Sequence, residues 1–215
     1  MRASRTVFWL TGTTLLTASA AQAAQLTVVN VGAPAVNCVF NTTCTVTVTD
    51  SVADIPMPAN VIGPARLQSR TFVGAAGAPG AGKTAYVYRV DLTGAVSDGE
   101  VPCVTDVTIE FGPVAKLQYD NAGGPDDVYV VTSGGLGSVG LYWVEQTGSS
   151  INFIFNQPVC AGPTQGTGRT SYFFGVASDS PPRAITAKVG VPGLLPVDVP
   201  ARAPGGGQGP KQSGN

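Results

Sequence analysis

Apolar and polar residues alternate with a period of two through most of this chain. In TCTVTVTD (43–50), Cys44, Val46 and Val48 fall on one face and threonines on the other. In AYVYRVDLT (85–93), Tyr86, Tyr88, Val90 and Leu92 point one way, and Val87, Arg89 and Asp91 the other. CVTDVTIEF (103–111) groups Cys103, Thr105, Val107, Ile109 and Phe111. Such alternation marks strands with one face against a core. DVYVVT, VGLYWVEQ, SINFIFN, TSYFFGVAS and RAITAKV follow between residues 127 and 189. Gly, Pro, Asn, Asp or Ser separates these runs at intervals of about 8 to 15 residues, the spacing of a sandwich or barrel. No window of a dozen residues carries a helical apolar stripe, and the 28 glycines and 17 prolines disfavour long helices. The pattern predicts an all-β chain, an antiparallel β-sandwich of about ten strands in two sheets. It occupies residues 24–200 as one domain. The remainder, ARAPGGGQGPKQSGN (201–215), has no apolar side chain larger than alanine and is expected to be a disordered tail.

Two glycine-rich stretches between the predicted strands match phosphate-binding patterns. GAPGAGKT (77–84) fits G-x-x-x-x-G-K-[ST]. A phosphate loop must open a helix at its Lys-Thr, so that backbone N–H groups wrap the phosphates. Here Lys83 and Thr84 lead instead into the period-two run AYVYRVDLT, which makes the stretch a hairpin loop. GLGSVG (135–140) fits the dinucleotide fingerprint G-x-G-x-x-G, which also needs a helix and an acidic residue about 20 positions on. LYWVEQTGSS follows, and no Asp or Glu lies between Glu145 and Asp179, so this stretch reads as a turn joining two strands. Neither is assigned a nucleotide.

The N-terminal residues shift the picture from fold to compartment. Arg2 and Arg5 precede an apolar, threonine-rich stretch that ends in the small-x-small triplet Ala21-Gln22-Ala23. That order predicts a secretory signal peptide over residues 1–23, cut before Ala24. The expected location is secreted or periplasmic, with no membrane insertion, because the apolar stretch is shorter than the roughly 20 residues a spanning helix needs. The four cysteines, Cys38, Cys44, Cys103 and Cys160, all follow the cut, and an even count in an exported chain indicates disulfides. Five residues between Cys38 and Cys44 allow the chain to turn back and bridge them. Cys103 begins one predicted strand and Cys160 ends another, so antiparallel neighbours would bring them together. The expected pairing is therefore Cys38–Cys44 and Cys103–Cys160.

Charge removes one class of partner. Cleavage takes Arg2 and Arg5 from twelve basic residues, leaving ten against thirteen acidic, a net charge of −3. With no Lys/Arg cluster, nucleic acid is not an expected partner, since phosphate binding needs concentrated positive charge.

Catalytic chemistry is also restricted. The chain has no histidine, which removes Ser-His-Asp and Cys-His nucleophilic catalysis. No serine stands in G-x-S-x-G. A glycosidase needs two carboxyls about 5 to 9.5 Å apart, whereas Asp106 and Glu110, four apart on one strand face, would stand roughly 13 Å apart. No cofactor is expected. The acidic stretch YDNAGGPDDVYVV (119–131) offers Asp120, Asn121, Asp126 and Asp127, which could converge on a hard cation. The stronger reading is an Asx-type turn, so these four are a weak metal candidate only. Asn41-Thr42-Thr43 matches the glycosylation sequon inside the Cys38–Cys44 loop. Tyr142, Trp143, Tyr172, Phe173 and Phe174 are expected to pack the core and cover edges, with a sugar-stacking platform as the alternative. The resulting expectation is an exported, non-enzymatic β-sandwich acting in surface interaction or binding, its specific role open and a protein or a glycan the candidate ligand. The alternative is a carbohydrate-binding or calcium-dependent module.

Overall fold

A computed structural model of the chain describes residues 22–205. The signal sequence expected at 1–23 lies almost wholly outside this range, as does most of the expected tail. In chain order the strands are β1 (Ala24–Gln25), β2 (Val28–Gly32), β3 (Thr49–Asp54), β4 (Val61–Ile62), β5 (Arg66–Val73), β6 (Thr84–Asp91) and β7 (Val96–Ser97). They continue as β8 (Cys103–Glu110), β9 (Val128–Ser133), β10 (Leu141–Thr147), β11 (Ser150–Cys160), β12 (Phe173–Ser178), β13 (Pro182–Gly190) and β14 (Val197–Pro204). One helix, α1 (Ala33–Phe40), follows β2.

Two six-stranded sheets pack as a sandwich. The first has the order β1-β10-β11-β8-β13-β14, the second β2-β9-β12-β6-β5-β3, and β4 pairs with β7 in a small ribbon. All pairings between these strands are antiparallel except β2 with β9. The N-terminal segment changes sheets: β1 edges the first, and three residues later β2 edges the second. The Leu26 N–H donates to Val144 O and the Val128 N–H to Thr27 O, both at 2.9 Å, so the crossing is stitched to both sheets.

The main core lies between the sheets. As the alternation predicts, Tyr86, Tyr88, Val90 and Leu92 all point into it and are fully buried. Two phenols reach across the sandwich: the Tyr86 hydroxyl donates to Ser180 O and the Tyr88 hydroxyl to Arg202 O, each at 2.7 Å. The second bond fastens β14 to the middle of the opposite sheet. β14 also shows that the folded body runs past residue 200. Ala201 and Ala203 are buried in the core and pair with Ile185 and Arg183.

Two strands depart from the sequence pattern. β8 keeps Val107, Ile109 and Phe111 on the core face but replaces Thr105 with Val104. Its pairing with β11 jumps from Asp106↔Ile154 to Val104↔Val159, a bulge that shifts the phase of the strand. Pro158, which has no N–H to give, sits inside that bulge. The run at 43–50 is not a strand for most of its length: pairing begins only at Thr49, and residues 45–48 belong to no strand.

Candidate functional site

The strands of the second sheet carry unbroken buried runs. Residues 84–88 of β6, 128–131 of β9 and all of β12 are buried. A strand buried on both faces needs a layer on each side. The outward-facing residues Phe72, Ala85, Val87, Tyr129, Val131 and Phe173 form a second apolar cluster, separate from the main core.

That cluster is capped at one end by α1. Val36, Val39 and Phe40 pack down at i, i+3 and i+4. Eight residues are too few to hold a helix unaided, so the packing and the Cys38–Cys44 disulfide maintain it. The Phe40 ring meets Phe72 edge-on at 5.1 Å, and Tyr119 meets Tyr129 at 4.6 Å.

The glycine-rich loop at 77–84 serves this helix. It joins β5 and β6 as a hairpin, as the sequence predicts. The Gly80 N–H donates to Val39 O and the Ala75 N–H to Phe40 O, both at 2.8 Å, satisfying carbonyls left open at the helix C-terminus. Ala78, Ala81 and Lys83 give their N–H groups to carbonyls within the loop. Gly80 is required sterically: an added Cβ would stand 2.9 Å from the Phe40 ring. Lys83 Nζ meets Asp179 Oδ1 at 2.6 Å. The GLGSVG stretch leads from β9 in one sheet to β10 in the other, and no helix follows. Gly137 there takes φ +115°, with its Cα against Ser171 O, where a Cβ would come within 2.2 Å.

Between α1 and residues 134–136 the outer cluster is not fully covered. A cleft of about 400 Å³ opens there. Its floor is Val87, Tyr129, Val131 and Phe173. One wall is Val36 and Asn37 of α1, continued by Val46 and Val48; Leu136 also lines the cleft. Leu136 is 60% exposed and Val48 37%, so apolar surface remains in contact with water at the mouth.

Among the described residues, Arg70 is the one charged residue lining the cleft. Its guanidinium lies 4.4 Å from the centroid of the Phe173 ring, and its Nε and Nη2 donate to the two Asp50 carboxylate oxygens at 2.9 and 3.2 Å. Arg89 approaches the same ring at 5.1 Å and pairs with Asp91 at 3.1 Å. Tyr129 is fully buried, its ring laid over Gly175, and its hydroxyl has no hydrogen-bond partner among the described residues. Burial holds that phenol well above its ordinary pKa, so it remains an O–H donor.

The other sequence candidates lie elsewhere. The cysteines form Cys38–Cys44 and Cys103–Cys160, as expected; Cys103 and Cys160 are directly opposite in β8 and β11. The acidic residues 120–127 each make local contacts. The Asp120 carboxylate accepts from the Ala122 N–H at 2.8 Å in an Asx turn, and Asn121 takes φ +59°. Burial, then the Asp120 and Asp127 charges, raise the Asp126 carboxyl above its usual range. Asp127 is buried and accepts from Thr27 N–H, the Thr27 hydroxyl and Lys116 Nζ, each at 2.9 Å. Burial opposes its charge, but these donors outweigh burial and hold the carboxyl below its ordinary value. Among the described residues no group of three or more His, Cys, Asp or Glu is placed to hold a metal ion. Asn41 of the sequon accepts from the Thr43 N–H and hydroxyl.

The aromatic residues divide between layers. Phe174 enters the main core and Phe173 the cleft floor. Tyr142 sits at a bulge in β10 and is 76% exposed, while the Trp143 indole N–H points to Glu145 at 3.4 Å. Among the described residues, no helix is long and apolar enough to cross a membrane.

The class defined here is a disulfide-bonded two-sheet β-sandwich with a partly covered outer apolar face. Comparison with protein-family models, curated proteins and solved structures yields no match.

Proposed function

We propose that this chain is an exported, non-enzymatic binding protein and that its ligand occupies the outer cleft of the second sheet. The observation that carries the reading is the unfinished second core. A sandwich needs only one apolar face per sheet, yet the second sheet has two, and its outer face is left open around Val87, Tyr129, Val131 and Phe173. The volume of about 400 Å³ falls within the roughly 300–1,000 Å³ of small-molecule sites. Two disulfides are compatible with an extracellular or periplasmic setting. A chain without histidine, and without a paired-carboxylate strand, supports binding over catalysis.

The test is thermal melting of the exported protein with three sets of compounds: small apolar molecules, sugars, and calcium with or without chelator. Apolar compounds are expected to raise the melting temperature of the wild type and not of Leu136→Asp, whose charge sits at the exposed mouth. Stabilisation by sugar or calcium alone would overturn this reading in favour of a carbohydrate-binding or calcium-dependent module.

A further inference from the structure

We propose that the cleft takes a single-chain aliphatic carboxylate, its chain along Val87, Val131 and Phe173 and its carboxylate at Arg70. This rests on the cleft being the ligand site. Three observations select the ligand chemistry. The walls are chiefly the methyl groups of Val36, Val46, Val48 and Leu136, which pack a chain through dispersion and burial. Among the described residues, the one charged side chain on the lining is the Arg70 guanidinium, paired with Asp50. The polar side chains on the lining are those of Asn37, Arg70 and Tyr129, and Arg70 keeps unused N–H donors.

Arg70 is the more informative of these. A guanidinium carries five N–H donors in a rigid fork. Asp50 takes two of them, through Nε and Nη2, and Phe173 supports the flat face. The Nη1 amino group makes no hydrogen bond among the described residues, so the fork is held in one orientation with donors in reserve. A ligand that satisfies the spare Arg70 donors brings acceptor oxygens on an apolar body. An ammonium would bring donors and the wrong charge, and an uncharged alcohol would forgo the charge-assisted bond to Arg70.

The test is calorimetric titration of the exported protein with decanoate, decanol and decyltrimethylammonium below their aggregation concentrations. Decanoate is expected to bind about tenfold more tightly than decanol, a difference of about 1.4 kcal/mol, with the ammonium weakest. Arg70→Gln should abolish the preference for decanoate and leave decanol affinity within about twofold. Asp50→Asn removes the competing carboxylate and should leave the preference intact or enlarge it; it serves if the Arg70 variant does not fold. Equal affinities for decanoate and decanol, or a preference that survives Arg70→Gln, would overturn the proposal. If no decyl probe binds while other apolar compounds stabilise the wild type but not Leu136→Asp, the ligand class is wrong and the cleft reading stands. If no apolar compound binds at all, both fail.

Discussion

Asp127 is the residue whose removal tests the architecture most sharply. It is buried at the start of β9 and holds the N-terminal segment where it passes between sheets. Three donors converge on one oxygen: Thr27 N–H, the Thr27 hydroxyl and Lys116 Nζ. The Asp127 N–H returns a bond to the Thr27 hydroxyl at 3.0 Å. Hydrogen bonds to a charged group contribute about 1.5–3 kcal/mol. Thr27 is exposed and Lys116 is half-exposed, so water recovers part of what Asp127→Ala removes; the net cost should be about 2 kcal/mol. For a domain of this size, that lowers the melting temperature by about 4–8 °C. Lys116→Ala should cost well under half as much, because its ammonium is already largely hydrated.

The same site sets a pH dependence. The folded carboxyl titrates below the unfolded value of about 3.9, so its stabilisation is complete above about pH 4 and lost as pH falls through the folded value. The gap in melting temperature between wild type and Asp127→Asn should therefore be constant at neutral pH and close in acid. Calorimetric melts from pH 2.5 to 7 measure both effects. A change below about 2 °C for Asp127→Ala at pH 7, or a gap that widens in acid, would refute the reasoning.

Reduction of the two disulfides should be unequal: the chain-entropy estimate is about 2.4 kcal/mol for the short loop and about 4 for the long one. Paired serine substitution of Cys103 and Cys160 should thus depress melting more than that of Cys38 and Cys44, and the reverse order would count against this. Gly80→Ala should destabilise by about 1–3 kcal/mol, through collision with the Phe40 ring; a neutral result in denaturant unfolding would place α1 elsewhere. Lys83→Ala should change stability by less than about 1 kcal/mol, because its partner Asp179 is mostly exposed. Saturable ATP binding by wild type, lost in this variant, would contradict the hairpin.

The main core was readable because a period of two assigns faces without reference to tertiary structure. Tyr86, Tyr88, Val90 and Leu92 needed nothing more. The cysteine pairing was readable because spacing and strand ends leave few geometries. The second core was harder. Its signal is present in AYVY, VYVV and FFGVA, where alternation fails because both faces are apolar, but such a run does not say what covers the other face. The covering helix escapes periodicity analysis because eight residues around Pro34 make barely two turns, stabilised by contacts from loops distant in sequence. The TVTV stretch alternates yet pairs with no strand, because its valines face the helix side of the outer cluster. The β8 phase shift depends on the β11 bulge, a long-range feature that neither segment announces.

A ligand held on the outer face of the second sheet would be located by methyl NMR. With valine methyls labelled, titration with apolar probes should shift Val36, Val46, Val48, Val87 and Val131, while Val90, Val107 and Val176 of the main core stay in place. Shifts scattered over both groups, or confined to the surface around Tyr142, would contradict the account.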